Sequence, residues 1–177
     1  MKWLKSYTLF IALFFLFGFS IPKEVNKRVL KEVEKTFEVS DFTMEPVQVP
    51  HGLNEELPIR ISGKNLFRIM QNSSTLLGYA FTDQAPSKTA KFDYLVVFDK
   101  NVKIINTKVL IYREDYGGEI GSKRWLKQFL GKTGGDHVSV KTNIDVISGA
   151  TISVNSMTKS MDNLLATIGI LRQKGKL

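Results

Sequence analysis

Residues 92–98 read Phe-Asp-Tyr-Leu-Val-Val-Phe, and residues 102–112 read Val-Lys-Ile-Ile-Asn-Thr-Lys-Val-Leu-Ile-Tyr. In the first segment the side chains of Phe92, Tyr94, Val96 and Phe98 fall on alternate positions, which is the period of a β-strand and gives it one largely aromatic face. A turn of three residues, Asp99-Lys100-Asn101, separates the two segments. Such a connection is too short for a crossover, so the two strands are predicted to pair antiparallel.

Shorter strands are predicted on both sides of this pair, at Leu66 to Gln71, Leu76 to Phe81 and Val138 to Val140. The first two flank Asn72-Ser73-Ser74, which is typical of a hairpin turn. Residues 84–89 are polar and are expected to form a loop. Residues 40–64 contain three prolines and two glycines, and these turn formers favour a loop over most of the segment.

Three helices are predicted, at Pro22 to Glu38, Ser122 to Leu130 and Ile152 to Leu171. In the first, apolar residues recur every four positions from Val25 to Phe37, opposite a face of Lys, Arg and Glu. Ser122 is expected to cap the second helix. The third carries one apolar stripe and is expected to be a C-terminal amphipathic helix. The predicted fold class is therefore α+β, with helices packed on an antiparallel sheet.

Residues 1–20 have the composition of a signal peptide. Two lysines precede an apolar run from Leu9 to Phe19, and the small residues Gly18 and Ser20 lie ahead of a cleavage point after Ser20. An uncleaved membrane anchor is the alternative, although the run from Trp3 to Ile21 is barely long enough to span a bilayer. We therefore expect an exported chain, periplasmic or extracytoplasmic, with an N-terminal membrane anchor as the second option.

The length and charge of the chain limit its organisation and its partners. With 177 residues it can form one sizeable core, and we divide it into residues 1–20, an N-terminal helix and loop at 21–60, and a functional domain at 61–177. The formal net charge is +8. The basic residues are spread over helix faces and tails, which favours a solvated surface and argues against a nucleic-acid partner, while contact with a membrane surface stays open.

Several classes of cofactor site are disfavoured by the residue types present. The chain has no cysteine, so thiolate clusters, attached haem and disulfides are excluded. The two histidines, His51 and His137, have no partner at metal-ligand spacing, and no metal site is expected. No dinucleotide fingerprint or phosphate-binding loop is present, so no place to bind NADH is visible.

Residues 145–151 read Asp-Val-Ile-Ser-Gly-Ala-Thr and lead into the predicted C-terminal helix. Taken alone, Ser148 to Thr151 is an ordinary way for a loop to enter a helix, because hydroxyl groups cap free N–H groups and glycine adopts backbone angles that other residues avoid. In that interpretation Asp145 bonds the main chain two residues on. The start of a helix also favours an anion near Thr151, through its free N–H groups and its dipole.

The same segment resembles the flavinylation motif of the FMN-binding domain family, Asp-x-x-(Ser/Thr)-Gly-Ala-Thr. The resemblance implies a covalent FMN, attached through its phosphate to the side-chain oxygen of Thr151 by a separate flavin transferase that uses FAD and a divalent metal. It gives Asp145 a place in the motif that the transferase recognises, and Ser148 a place near the phosphate or at the helix cap. Gly149 and Ala150 are small and would let the enzyme and the phosphate approach the backbone.

Residues 115–121, Asp-Tyr-Gly-Gly-Glu-Ile-Gly, resemble the acidic, glycine-rich loop that contacts flavin in the same family. The resemblance implies that Gly117, Gly118 and Glu119 lie at the polar edge of the flavin ring. Trp125 is a candidate flat wall for the ring, and its alternative is packing in the core. The family more often has Glu-Thr-Pro-Gly after a strand, and the different order here leaves the roles of individual residues in this loop open.

These motifs together imply a covalent flavoprotein that transfers electrons, similar to the flavin-bearing domains of the Rnf and sodium-translocating NADH:quinone reductase complexes. Residues 61–177 would then be the FMN-binding domain, with a flavin transferase and a membrane redox protein or complex as partners. Two alternatives stay open. One is a flavin-dependent reductase, whose substrate site the family places in additional domains. The other is a non-redox secreted binding module in which Ser148 to Thr151 is only a helix cap.

Overall fold

The computed structural model describes residues 23–177, and the signal peptide predicted for residues 1–20 lies outside this range. The regular elements follow in the order α1 (Lys23–Phe37), β1 (Thr43–Pro46), α2 (His51–Glu55), β2 (Leu66–Gln71), β3 (Thr75–Pro86), β4 (Lys91–Asp99), β5 (Ile104–Ile111), α3 (Lys123–Leu126) and α4 (Thr151–Gln173). Two 3₁₀ turns, Gly118–Gly121 and Lys127–Phe129, flank α3. Within this range no helix has both the length and the apolar character needed to cross a membrane.

The five strands form one antiparallel sheet in the order β1-β2-β3-β4-β5. The predicted antiparallel pairing of β4 with β5 is confirmed. The alternation of β4 is also confirmed, because the side chains of its aromatic face lie in one core while Leu95 and Val97 lie in a second core on the opposite face. Residues of α4 complete the first core and residues of α1 complete the second. The α+β fold is thus a sheet with a helix on each face.

Two segments that were predicted to be loops contain strands. β1 lies within residues 40–64 and pairs with β2, and its last residue, Pro46, is tolerated because β1 is an edge strand. β3 continues through the polar residues at its end, since Gln84 pairs with Asp93 and Pro86 with Lys91. The prediction of a strand at Val138 to Val140 is wrong, because residues 138–139 have no regular secondary structure and Val140 begins a turn.

A helix forms at each of the three predicted places, with shifted bounds. Ser122 caps α3 as predicted, since its Oγ accepts a hydrogen bond from the Trp125 N–H at 3.3 Å. α4 begins one residue earlier than predicted and runs for 23 residues. Its buried face includes Ser153, Thr158 and Thr167 beside the apolar residues, so this face is less apolar than predicted.

Helix α1 runs antiparallel to β5 across one face of the sheet. Near its start, Arg28 Nη1 donates a hydrogen bond to the Leu110 carbonyl at 2.9 Å. Near its end, Asn106 Nδ2 donates to Glu32 Oε1 at 3.1 Å and to Thr36 Oγ1 at 2.7 Å. The start of α1 therefore lies at the end of the sheet where β5 finishes.

Helix α4 crosses the opposite face in the same direction. At its start, Ser153 Oγ lies 3.0 Å from the hydroxyl oxygen of Tyr112, the residue that follows β5. At its other end, Arg172 Nη1 donates to the Asn101 carbonyl at 3.2 Å, in the turn that precedes β5. Both long helices thus begin at the same end of the sheet, and this end carries the Asp145 to Thr151 motif.

Candidate functional site

Thr151 is the first residue of α4, and its side chain is exposed. No side chain caps the helix, whose N-cap residue is Ala150. Within residues 23–177 the N–H groups of Thr151, Ile152 and Ser153 have no hydrogen-bond partner, and the first bond of the helix joins the Val154 N–H to the Ala150 carbonyl at 2.9 Å. Free N–H groups at the positive end of a long helix form a binding place for an anion.

The loop that leads into α4 is held through the main chain of Asp145. The Asp145 N–H donates to Gln128 Oε1 at 2.7 Å, and Trp125 Nε1 donates to the Asp145 carbonyl at 2.8 Å. The carboxylate of Asp145 is exposed and makes no hydrogen bond within the described residues, so the alternative in which it bonds the main chain two residues on is not formed. Its carboxylate remains available to a partner protein.

Gly149 and Ser148 occupy the exposed part of the motif. Gly149 has φ +78°, a backbone angle that favours glycine, and a Cβ built there would have no atom within 4 Å. Ser148 is exposed, and the alternative in which it caps the helix is not formed because Ala150 occupies the cap position. A place for Ser148 near the phosphate stays a prediction. A tight turn therefore exposes both residues on the approach to Thr151.

The loop that follows β5 contacts the motif at Gly117. This residue has φ +78°, and a Cβ there would lie 2.9 Å from Ala150 Cβ and 3.1 Å from the Tyr112 hydroxyl oxygen. Gly117 therefore permits the close approach of the loop at residues 115–121 to the motif at residues 145–151. By contrast, Gly118 has no atom within 4 Å of a built Cβ, and Glu119 is exposed.

Two clefts flank the motif, one on each side. The first has a volume of about 230 Å³ and is lined by Lys88, Tyr112, Glu114, Tyr116, Gly149, Ala150, Thr151, Ile152 and Ser153. The second has a volume of about 620 Å³ and is lined by Glu119, Ser122, Arg124, Trp125, Lys127, Gln128, Asp145, Val146, Ile147 and Ser148. The predicted site residues therefore lie around one loop but are divided between its two sides.

Trp125 packs in the core and also borders the second cleft. Only 4% of its surface is exposed, and its ring meets Phe129 edge-on at a centroid distance of 5.2 Å. The core-packing alternative is therefore what the structure shows. Contact between Trp125 and a flavin ring stays a prediction, and it is restricted to the small exposed part of the indole.

Glu114 is a cleft residue that the sequence reasoning missed. Its carboxylate accepts hydrogen bonds from Ser87 Oγ at 2.6 Å, from the N–H and Oγ1 of Thr89 at 2.7 and 2.8 Å, and from the Ala90 N–H at 3.1 Å. These bonds, above all the one from Ser87, lower the pKa of Glu114 from 4.5 to about 2. Because the folded-state pKa lies below the ordinary value, the carboxylate keeps its charge and its bonds until the pH falls to about 2. Glu114-Asp115-Tyr116-Gly117 has the Glu-x-x-Gly order of the family's loop, and this spacing was the available signal.

Comparison with known proteins gives one family match, and it covers this part of the chain. No curated protein matches the chain at a significant level. Residues 89–166 match the model of the FMN-binding domain family. The match begins just before β4 and ends within α4, so it includes the loop of Glu114 and Gly117 and the motif from Asp145 to Thr151. The match supports an FMN-binding domain in this part of the chain, with FMN as its ligand.

Proposed function

We propose that this protein is an extracytoplasmic electron-transfer flavoprotein that carries FMN on Thr151 through a phosphoester. The main support is the position of Thr151, an exposed hydroxyl on the first residue of an uncapped helix and beside a cleft. A phosphodiester at this oxygen would lie against three N–H groups that have no other partner in the described chain. An ordinary helix cap would instead use a hydroxyl to satisfy these groups.

The attachment requires a partner enzyme, because the chain offers no base beside Thr151 within hydrogen-bond distance in the described residues. In the proposed reaction the Thr151 oxygen bonds to the FMN phosphorus of FAD, the pyrophosphate P–O bond breaks, AMP leaves and the hydroxyl proton is released. The product keeps one negative charge on the phosphodiester, which the helix dipole and the free N–H groups stabilise. The open space around Gly149 allows the transferase to reach the hydroxyl.

The first cleft suits a cofactor that remains partly exposed. FMN when bound supplies the redox chemistry, and the protein holds it and presents it to partners. The cleft volume of about 230 Å³ is below the roughly 300–1,000 Å³ of pockets that enclose a ligand. Two of its apolar side chains, Tyr116 and Ile152, are 84% and 51% exposed. A flavin ring resting against them would stay accessible to another protein, as an electron carrier requires.

Intact mass and a visible spectrum of the exported protein test the proposal. We expect a yellow protein that is heavier than its polypeptide by one FMN less one water, with the adduct on the peptide that contains Thr151. Protein made without its leader, in a compartment that lacks the transferase, should fold and remain unmodified. A colourless exported protein after co-expression with a flavin transferase would contradict the proposal and favour a non-redox binding module. Steady-state reduction of a defined organic substrate by the isolated protein would favour a reductase.

The hydrogen bonds to Asp145 lead to a prediction about the efficiency of modification. Trp125→Phe removes the donor to the Asp145 carbonyl, and Gln128→Ala removes the acceptor of its N–H. Loss of either hydrogen bond should cost about 1 kcal/mol of local stability, and Trp125→Phe should cost more because Trp125 is buried and the smaller ring leaves a cavity. We expect a smaller flavinylated fraction after a short expression period, measured by intact mass.

Gln173→Ala, at the far end of α4, is the control for that experiment. It should match the wild type in flavinylated fraction. If Trp125→Phe and Gln128→Ala also match the wild type, the backbone of Asp145 does not need to be held for recognition by the transferase.

A further inference from the structure

Lys88 is the basic side chain that lines the first cleft among the residues that the structure describes. It lies on the turn formed by residues 87–90, between β3 and β4. The turn is closed by a main-chain bond, since the N–H of Ser87 donates to the Ala90 carbonyl at 2.8 Å. The cation is therefore carried by a short, hydrogen-bonded turn rather than by a long loop.

Glu114 fixes this turn to the wall of the cleft. Its four hydrogen bonds all go to residues on either side of Lys88, namely Ser87, Thr89 and Ala90. None of them goes to Lys88 itself, which makes no ion pair within residues 23–177. The carboxylate is thus used to set the position of the turn, and the charge of Lys88 is left without a partner in the described chain.

Two positive features consequently border the same cleft. One is Lys88, a cationic side chain, and the other is the N-terminus of α4 with its three free N–H groups. An anion in this cleft would be attracted by both. The Glu114 carboxylate lines the same cleft and opposes this attraction, but its charge is partly offset by its four hydrogen-bond donors.

We propose that Lys88 faces the negative charge of the flavin group held on Thr151, and that Glu114 is the positioning residue that keeps Lys88 there. This inference rests on the proposed function. The flavin group has two sources of negative charge, the phosphodiester and the reduced ring. Lys88 stabilises whichever of the two lies in the first cleft, and the experiment below distinguishes them.

The experiment uses the flavinylated, exported protein with Lys88→Gln, and Lys64→Gln as a matched control. Lys64 is also an exposed lysine on a turn, and it lines neither cleft. The reduction potential and the ³¹P chemical shift of the phosphodiester are measured for both variants. If Lys88 faces the ring, its loss should lower the ratio of reduced to oxidised flavin about tenfold at a fixed potential, which corresponds to about 30 mV for a two-electron couple. If Lys88 faces the phosphodiester, the ³¹P signal should move and the potential should stay within error.

Either of these results supports the proposal and identifies the charge that Lys88 faces. Lys88→Gln protein that carries a full adduct and matches the wild type in both measurements would overturn it. A wild-type protein that carries no flavin would instead contradict the proposed function, so the two failures are distinguishable.

Glu114→Gln tests the positioning role, with Asp136→Asn as its control. Asp136 also holds a turn through its carboxylate, accepting from the N–H and Oγ1 of Thr133 at 2.7 and 2.9 Å, but this turn borders neither cleft. We expect Glu114→Gln to speed amide hydrogen exchange at Thr89 and Ala90. The variant also removes a negative charge that lines the cleft, so the positioning role is read from the effect of Lys88→Gln, which should be smaller in the Glu114→Gln protein than in the wild type. Faster exchange with an undiminished effect of Lys88→Gln would show that Glu114 holds the turn without positioning a cation for the cofactor.

Discussion

Replacement of Thr151 by valine is expected to remove the FMN adduct completely and to leave the fold intact. Valine has nearly the shape of threonine but lacks the oxygen that forms the phosphoester. Thr151 is exposed and its hydroxyl makes no hydrogen bond within the described residues, so the change should alter the free energy of unfolding by no more than about 0.5 kcal/mol. The intact mass should fall by one FMN less one water, and the visible absorbance should disappear.

Thr142→Val is the control for this prediction. Thr142 is an exposed threonine of the preceding loop, and only its main chain is hydrogen bonded in the described structure. This variant should keep the full adduct. An adduct that persists in Thr151→Val, or that maps to Ser148, would contradict attachment at Thr151.

The largest expected effect on stability comes from Gly78→Ala in β3. A Cβ at this buried position would overlap the carbonyl oxygen of Phe98 in the neighbouring strand, and it would lie 2.9 Å from Cζ of Phe37 at the end of α1. Alanine is otherwise the better residue in a strand, but a main-chain carbonyl cannot move aside as a side chain can. We expect a loss of about 3 kcal/mol in the free energy of unfolding, the upper part of the usual range for overpacking.

Urea denaturation followed by circular dichroism measures this loss, with Gly52→Ala as the control. Gly52 lies in α2, and a Cβ there would have no atom within 4 Å. Its substitution should leave the denaturation midpoint unchanged or raise it slightly. Equal midpoints for the two variants would mean that β3 and β4 are not as closely spaced at Gly78 as described.

The parts of the fold that follow a strong local rule were predictable. The aromatic side chains of β4 recur at alternate positions, so its period was clear in the sequence although both faces of the strand are buried. The hairpin between β2 and β3 was signalled by Asn72-Ser73-Ser74, and Asn72 and Ser73 indeed have positive φ angles of 50° and 56°. In each case the conformation that the local sequence favours is the one that the residue adopts in the fold.

The missed strands depend on pairing that the local sequence does not reveal. Residues 84–86 are polar or turn-forming, yet they extend β3 because the start of β4 lies beside them and supplies hydrogen-bond partners. β1 is short and ends in a proline, so it becomes a strand only through its pairing with β2. A neighbouring strand outweighed local propensity in both places.

The motif residues of the candidate site were predicted from the sequence, but the helix cap and the other residues that line the first cleft were mostly not. The segment from Asp145 to Thr151 identified the start of α4, but the position of the helix cap depended on the turn at Gly149, which places Ala150 rather than Ser148 at the cap. Glu114 was not predicted as a site residue. Its position in the cleft depends on hydrogen bonds to a turn far away in sequence, at residues 87–90. The sequence indicated the acidic loop. The structure shows that Glu114 of this loop lines the first cleft and that Glu119 lines the second.

The shared starting end of α1 and α4 determines how this protein should be immobilised for electrochemistry. A surface linker placed ahead of Lys23 would hold the Thr151 end of the molecule toward the electrode, because α1 starts at that end of the sheet. A linker placed after α4 would leave the proposed flavin about 35 Å from the attachment point, the length of a helix of 23 residues at 1.5 Å each. Since tunnelling rates fall exponentially with distance, only the first orientation would give direct electronic contact between the electrode and a flavin on Thr151.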